Sequence, residues 1–468
     1  MKNWLIIMGV AGLTGCARFE ERPLAPAPMA AQLEARSLAD AGLKNFLAQT
    51  LGQPVTTWPL PEWNLTTLTL AAFYYNPGLA VARAQWEVTQ AEVQTAAARL
   101  NPSVTVTPGY DTTTTTLSPW LPMINFDWPL ETAGKRGKRI AGARELASSA
   151  RWDIVTAAWQ VRSTLRETLV DAAAAERRRI LLDQEYQLQA QLVQRLEQRL
   201  TAGDIARPEL VTARIALQKT GQDRLDAETK ASDARVRLAG IIGLSAPALD
   251  SVRIDYTQTT NLPPAVTAPE ARMVALTARA DIRGALADYA AAEDDLKLEI
   301  AKQYPDVHVG PGYQYNQGDN QWMLGLTVEL PVLNQNQGPI ATAEAKRRLA
   351  AAKFTALQAQ VISDIDRAVA GYRRAQTQAG SGGQLLATEQ EQLTATQGQV
   401  AAGAADQFDA LGARLELANA ALAQLDNDTQ VQRARGALED ALQYPLDSLI
   451  AETFKHIAAV TNPDASHP

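Results

Sequence analysis

The sequence predicts a mainly α-helical fold with a small membrane β part, built as a tandem repeat of long coiled-coil helical hairpins and β-strand pairs. Three observations predict it. Pro102, Val104, Val106, Pro108, Gly109 and Tyr110 recur as Pro305, Val307, Val309, Pro311, Gly312 and Tyr313 at one fixed offset (305 − 102 = 203). Such a match marks a duplicated unit of roughly 200 residues. Nearly all the remaining chain is rich in Ala, Leu, Gln, Glu and Arg, side chains that lose little freedom on a helix. Finally, mean hydropathy is −0.18, and beyond residue 15 no apolar run reaches the roughly 18 residues of a spanning helix. A membrane crossing by the mature chain would therefore use strands.

The first 16 residues carry Lys2, an apolar run and small residues before Cys16, which is a secretory signal pattern. Residues 1–15 are read as the signal peptide. Leu13-Thr14-Gly15-Cys16 resembles a bacterial lipobox, which implies acylation of Cys16, and Ala17 after it implies passage to the outer membrane. The competing reading is a plain signal peptide with an incidental cysteine. Cys16 is the single cysteine, so lipidation leaves no thiol for disulfide, metal or redox work. Residues 16–62 contain Pro23, Pro26, Pro28, Pro54, Pro59 and Pro61 around a short helical piece near 33–51. They are expected to form a strap that orders on assembly.

The first repeat spans 63–260. Its opening helix runs from about 65 to 100 with a break at Asn76-Pro77, and Leu79, Ala82, Trp86 and Val93 share one side. Strands follow at about 103–113 and 120–129. Val104, Val106 and Tyr110 alternate with Ser103, Thr105, Thr107 and Asp111, and Ile124, Phe126 and Trp128 alternate with Asn125 and Asp127. A rod from about 133 to 200 comes next, near 100 Å at about 1.5 Å per residue. Leu181, Leu188, Leu192, Leu196 and Leu200 mark a narrow coiled-coil seam on it. Gly203 suits the helix C-cap and Pro208 the start of the returning helix, which runs to about Gly243.

A Pro-rich linker at 261–268 joins the second repeat, 269–445. Its opening helix, to about 303, carries Ile282, Ala285, Tyr289 and Leu296 on one side. Strands are expected at about 306–316 and 321–331. Leu386, Leu393 and Val400 repeat by seven on the long helix, and Leu411, Leu415, Ala418, Leu422 and Leu425 follow the Gly403 turn. Gly380-Ser-Gly-Gly383 lacks the strand and the Lys-Ser/Thr of a phosphate loop and reads as a helix irregularity. Residues 446–468 form a polar tail.

Each strand is expected to hold about 10 residues, the length that a tilted transmembrane strand needs, with aromatic residues towards the ends. The competing reading is a pair of hairpins in a soluble β-domain. Four strands cannot close a barrel, open edges are not tolerated in lipid, and bacterial barrels have at least eight strands. Three chains of four strands give a shared 12-stranded barrel, and the hairpins then form a helical tube below it.

Tandem halves of helix, strand pair, long helix and Gly-turned hairpin behind a lipobox look like the TolC family of outer-membrane efflux proteins. The resemblance covers about residues 60–445. Residues 131–139, Glu-Thr-Ala-Gly-Lys-Arg-Gly-Lys-Arg, are similar to members serving heavy-metal systems of the resistance-nodulation-division type. The resemblance implies a homotrimeric duct, a β-barrel on a periplasmic α-barrel, fed by a periplasmic adaptor and an inner-membrane pump. Its members narrow the pore with acidic rings shortly after the second turn glycine. Asp409, six positions past Gly403 (409 − 403), matches that place, with Asp406 nearby. A second family acid falls at Gly412, where this chain departs from the pattern. Glu209 is the first-repeat equivalent. A carboxylate ring attracts cations and repels anions, whereas the alternative for each acid is an ordinary solvated helix position. The resemblance also assigns adaptor contact to the tips Gly203, Asp204, Gly403 and Ala404. Lys135, Arg136, Lys138 and Arg139 either meet outer-membrane lipid phosphates or form a solvated basic turn.

The net charge of −7 gives no basic face for nucleic acid. His308, His456 and His467 are scattered, Met123 and Met323 sit near strand loops, and no catalytic signature is present. No enzyme activity and no cofactor are expected. Two readings remain: a passive export duct, for heavy-metal cations or for drugs and other small molecules, and a non-channel periplasmic coiled-coil lipoprotein.

Overall fold

The computed structural model describes residues 18–112, 118–257, 268–316 and 318–446. Cys16, most of the linker and nearly all of the tail lie outside the described residues. Helices α1 (Pro26–Glu34) and α2 (Ala41–Leu51) come first, then α3 (Leu65–Tyr75) and α4 (Pro77–Ala97). Asn64 starts α3, its side chain accepting from the Thr67 N–H at 3.0 Å. Asn76 separates α3 from α4: its Oδ1 accepts from the Gly78 N–H at 2.8 Å and Pro77 supplies a preset first turn. Leu38, Leu43 and Leu47 pack with Trp63, Leu68 and Leu70 in the first core. The second half of the 16–62 strap is folded onto its own chain, with Leu43 and Leu47 of α2 entering this core.

Strands β1 (Ser103–Thr107) and β2 (Met123–Leu130) lead into α5 (Lys135–Ala202), which turns into α6 (Arg207–Ile242). The second repeat opens with α7 (Ala268–Ala278) and α8 (Ala280–Ala301). It continues through β3 (Val307–Asn316), β4 (Asp319–Val328), α9 (Gln337–Ala401) and α10 (Gln407–Leu442). The opening helix of this repeat is interrupted at Arg279, whose backbone is extended, as its first-repeat counterpart is at Asn76. Arg279 there donates to the carbonyl oxygens of Ala441 and Asp440 at 2.6 and 3.3 Å and pairs with Asp281. The expected irregularity at 380–383 is absent, because α9 runs straight through it. Gly382 serves instead as a close-contact point where a Cβ would strike Asn427 and Gln424 of α10.

The four strands form one antiparallel sheet in the order β1-β2-β3-β4. β3 and β4 have 10 residues each, but β1 has five and β2 eight, so the first pair is shorter than expected. Pro108 is the physical reason, since it offers no N–H to the ladder. Pairing resumes beyond it at the Tyr110–Trp120 bridge. The same chemistry interrupts the β2–β3 ladder opposite Gly310 and Pro311.

Near the sheet the helices pack side by side in the order α4-α5-α8-α9, and farther away in the order α6-α5-α10-α9. One outer edge of the slab is therefore α9 throughout, and the other is α4 and then α6. The slab edges continue the sheet edges β1 and β4. A second core of α7, α9 and α10, with Val361, Ile365, Tyr372 and Leu438, mirrors the first. On α5 the expected seam holds towards the tip, where Leu196 is buried and Leu192 and Leu200 pack beside it, whereas farther from the tip Leu182 takes the buried place expected for Leu181.

Candidate functional site

The sheet has two chemically distinct faces. Residues paired directly across antiparallel strands share a face. The register therefore aligns Val104 with Phe126, Trp128 with Val309 and Leu326, Leu130 with Val307 and Val328, and Ile124 with Tyr313 and Trp322. Most of these apolar side chains are open; Trp322 is 80% and Leu324 71% exposed. The opposite face carries Ser103, Thr105, Asn125, Asp127, His308, Gln314 and Thr327 with Gly310, Gly312 and Gly325. There the His308 Nδ1 lies 3.0 Å from both Asp127 carboxylate oxygens. Water would not favour so continuous an exposed apolar sheet face, whereas a hydrocarbon layer would. Tyr110–Trp120 and Tyr313–Trp322 form ring pairs with centroids 5.0 Å apart, at equivalent ends of the two strand pairs.

At the far end, the hairpin turns are built as expected. Gly203 and Gly403 take left-handed conformations (φ 85° and 72°). The Asp204 and Ala404 N–H groups close the turns onto the Arg199 and Gln399 carbonyls at 2.9 and 2.8 Å. Asp406 is the N-cap of α10 and accepts from the Asp409 N–H at 3.1 Å, while the Asp409 carboxylate accepts from the Asp406 N–H at 3.0 Å. Glu209 makes the weaker equivalent on α6, 3.5 Å from the Ala206 N–H. Asp406 also pairs with Arg199 of the first hairpin at 3.1 Å. The Arg199 guanidinium stacks over the Phe408 ring at 5.1 Å, and Phe408 enters the tip cluster of Val193, Leu196 and Leu210. The two hairpins are thus latched at their tips within one chain.

The outer membrane efflux protein model matches residues 71–244 and 273–442, well over half of the chain. The chain belongs to the outer membrane efflux protein family. Members of this family are non-enzymatic export channels. A curated relative, the cobalt-zinc-cadmium resistance protein CzcC of Cupriavidus metallidurans, is 23% identical over 217 residues, 46% of this chain and 51% of that protein. The chain spans about half the length of that relative. Among solved structures, VceC of Vibrio cholerae aligns with a TM-score of 0.67 at 19% identity, covering 82% of this chain and 97% of that one. The Campylobacter jejuni CmeC outer membrane channel gives 0.64 at 14% identity, covering 95% and 98%. CusC gives 0.64 at 16% identity, covering 91% and 99%. At these identities the structural likeness establishes the fold.

Within that fold, the basic cluster has protein partners. Lys135 is buried and pairs with Asp306 at 2.7 Å. Arg136 donates to the Ala97 carbonyl at 2.8 Å, Arg139 to the Ala96 carbonyl at 2.9 Å and to Glu131 at 2.7 Å, and Lys138 to the Ala133 carbonyl at 2.8 Å. These contacts tie the end of α4 to the start of α5.

The sequence reading missed the joint between the repeats. Glu439 of α10 is fully buried, with its carboxylate 2.8 Å from Arg162, 3.7 Å from Arg166 and 3.2 Å from Arg435. Burial alone would raise its pKa, but the three guanidiniums hold it below the usual glutamate value. Neighbouring Asp440 accepts from Trp159 Nε1 at 3.0 Å and Ser163 Oγ at 2.6 Å, and burial pushes its pKa up. The available signal was a pair of arginines, Arg162 and Arg166, interleaved with Ala158, Leu165 and Leu169 on one apolar stripe. Among the described residues no group of three or more metal-ligating side chains comes together.

Proposed function

We propose that this chain is the passive outer-membrane duct of a tripartite export system, working as a homotrimer with a periplasmic adaptor and an inner-membrane pump. The observation that carries the reading is the two-faced sheet with both edges unpaired. β1 and β4 leave their outer backbone groups open, and lipid does not tolerate open edges. Three copies close the sheet into 12 strands, and the same operation joins α9 of one copy to α4 and α6 of the next. Exposed Val211, Ile215, Leu225 and Val236 of α6 fall on one heptad register suited to that contact.

Conductance in planar bilayers, together with heat-modifiable trimer bands, tests the duct. A soluble, non-conducting monomer after delipidation would instead establish the coiled-coil lipoprotein reading. Acylation of Cys16 anchors the trimer, and mass spectrometry of the mature N-terminus tests it. The tips carry the periplasmic constriction: Asp406, Asp409 and Glu209 supply acidic rings, with Arg199 and Phe408 holding the hairpins together. Gly203, Asp204, Gly403 and Ala404 form the adaptor contact. The cargo is heavy-metal cations, a reading supported by the CzcC relative. Deleting the gene should lower tolerance of cobalt, zinc or cadmium; unchanged metal tolerance with raised drug sensitivity would point to small-molecule cargo.

A further inference from the structure

The two repeats differ where each strand pair gives way to its long helix. The helix N-caps Gly134 and Asn336 both adopt left-handed backbone (φ 68° and 64°) and correspond at an offset of 202 (336 − 134). The same offset matches Pro129 with Pro331, Trp128 with Leu330 and Glu131 with Leu333. In the first repeat the junction is tied to protein, because the Glu131 side chain is 13% exposed and paired with Arg139. In the second repeat the Asn336 amide donates to the Glu299 carbonyl at 2.8 Å. Just before it, Leu330, Val332 and Leu333 stand open at 72%, 77% and 97% exposure.

Leu330 continues the alternation Leu324, Leu326, Val328 on the apolar sheet face. Its repeat equivalent, Trp128, is an exposed aromatic at the end of β2 that faces the helices, the place of an interfacial girdle. Val332 and Leu333 therefore extend an apolar surface past the end of the strand, and no cation precedes Lys346 on the following helix. A junction facing water would favour polar residues there. Seating a Val and a Leu in an apolar layer is favourable.

We propose that Val332 and Leu333 dip into the periplasmic leaflet of the membrane as an apolar foot, one per copy, that fixes the height of the barrel in the bilayer. The inference rests on the reading of the sheet as a membrane wall. The experiment separates the two. The full chain in lipid nanodiscs is spin-labelled at Leu333→Cys, at Leu326→Cys on the sheet face and at Gln384→Cys on exposed α9, with labelling of the parent chain subtracted. Accessibility to oxygen and to a water-soluble nickel chelate is then compared. The proposal expects an oxygen-to-nickel ratio several-fold higher at 333 than at 384, approaching that at 326. A lipid-like value at 326 with a water-like value at 333 overturns the foot and leaves the wall standing. Low access to both reagents at 333 means contact between copies and also overturns it. A water-like value at 326 removes the wall and the foot together.

Discussion

Replacing Arg199 by alanine should loosen the tips by a calculable amount. In the latched state Arg199 contributes an ion pair to Asp406 at 3.1 Å, with side chains 43% and 52% exposed. Such an exposed pair contributes about 0.2–1 kcal/mol. Its stacking on Phe408, at 5.1 Å, adds about 0.5–1 kcal/mol. The interaction of Arg199 with the C-terminal end of its own helix is the same whether the tips are latched or not, so it cancels. The loss is then about 1–2 kcal/mol per copy, or roughly 5- to 30-fold in the ratio of unlatched to latched tips. Single-channel recording of Arg199→Ala in planar bilayers should show longer open dwells by about that factor. High salt should narrow the gap between variant and parent, because the ion-pair part is screened. Arg199→Lys should fall between them, having the charge but not the stacking plane. Identical dwell times for Arg199→Ala and the parent, with helicity unchanged, would refute the latch.

Other outcomes follow from the same geometry. Glu439→Gln leaves three buried guanidiniums uncompensated and should cost about 3–5 kcal/mol, seen as a large drop in the Tm of the detergent-solubilised protein. Because the folded-state pKa of Glu439 is depressed, its contribution is present above the ordinary glutamate value and lost on acidification, so the variant should show a shallower fall of Tm between neutral and acid pH. Asp409→Ala removes one arm of the α10 capping box, about 0.5–1 kcal/mol; it should raise single-channel conductance and weaken cation block, and unchanged conductance would remove Asp409 from the constriction. Gly403→Ala meets open space but keeps φ at 72°, so its cost is backbone strain of about 1–2 kcal/mol. Limited proteolysis should nick that tip faster, while Gly403→Asn should be tolerated better.

The repeated Pro-x-Val-x-Val motif, the Asn76-Pro77 break and the turn glycines were legible because each depends on local backbone chemistry. The helix end at Gly243 followed from the same kind of signal. What sequence could not place was anything decided across helices. Far from the tip, Leu182 and not Leu181 is the buried position on α5, because the partner helix, not the heptad count, chooses which face is buried. Arg199 and Phe408 are more than 200 positions apart (408 − 199 = 209), and no local pattern links them. The Glu439 joint was hidden for the same reason, since it joins α5 to α10.

The joint and the latch together imply where the protein can move. Both connect α5 to α10, but they sit at opposite ends of the contact. At Glu439 the connection is a buried ionic network whose disruption strands charge, so an alternative register there is strongly disfavoured. Towards the tips it becomes a series of exposed pairs, Arg433–Asp171, Arg178–Asp426 and Arg199–Asp406, each weak and screened. Between them lies an open groove of about 500 Å³ lined by Val170, Ala174, Ile180, Leu425 and Val431. Resistance to separation thus falls steeply from the joint to the turns. A displacement of the second hairpin against the first should pivot at Glu439 and be greatest at Gly403, so the constriction proposed at the tips lies where such movement is largest, while the helices beside the sheet keep a fixed register.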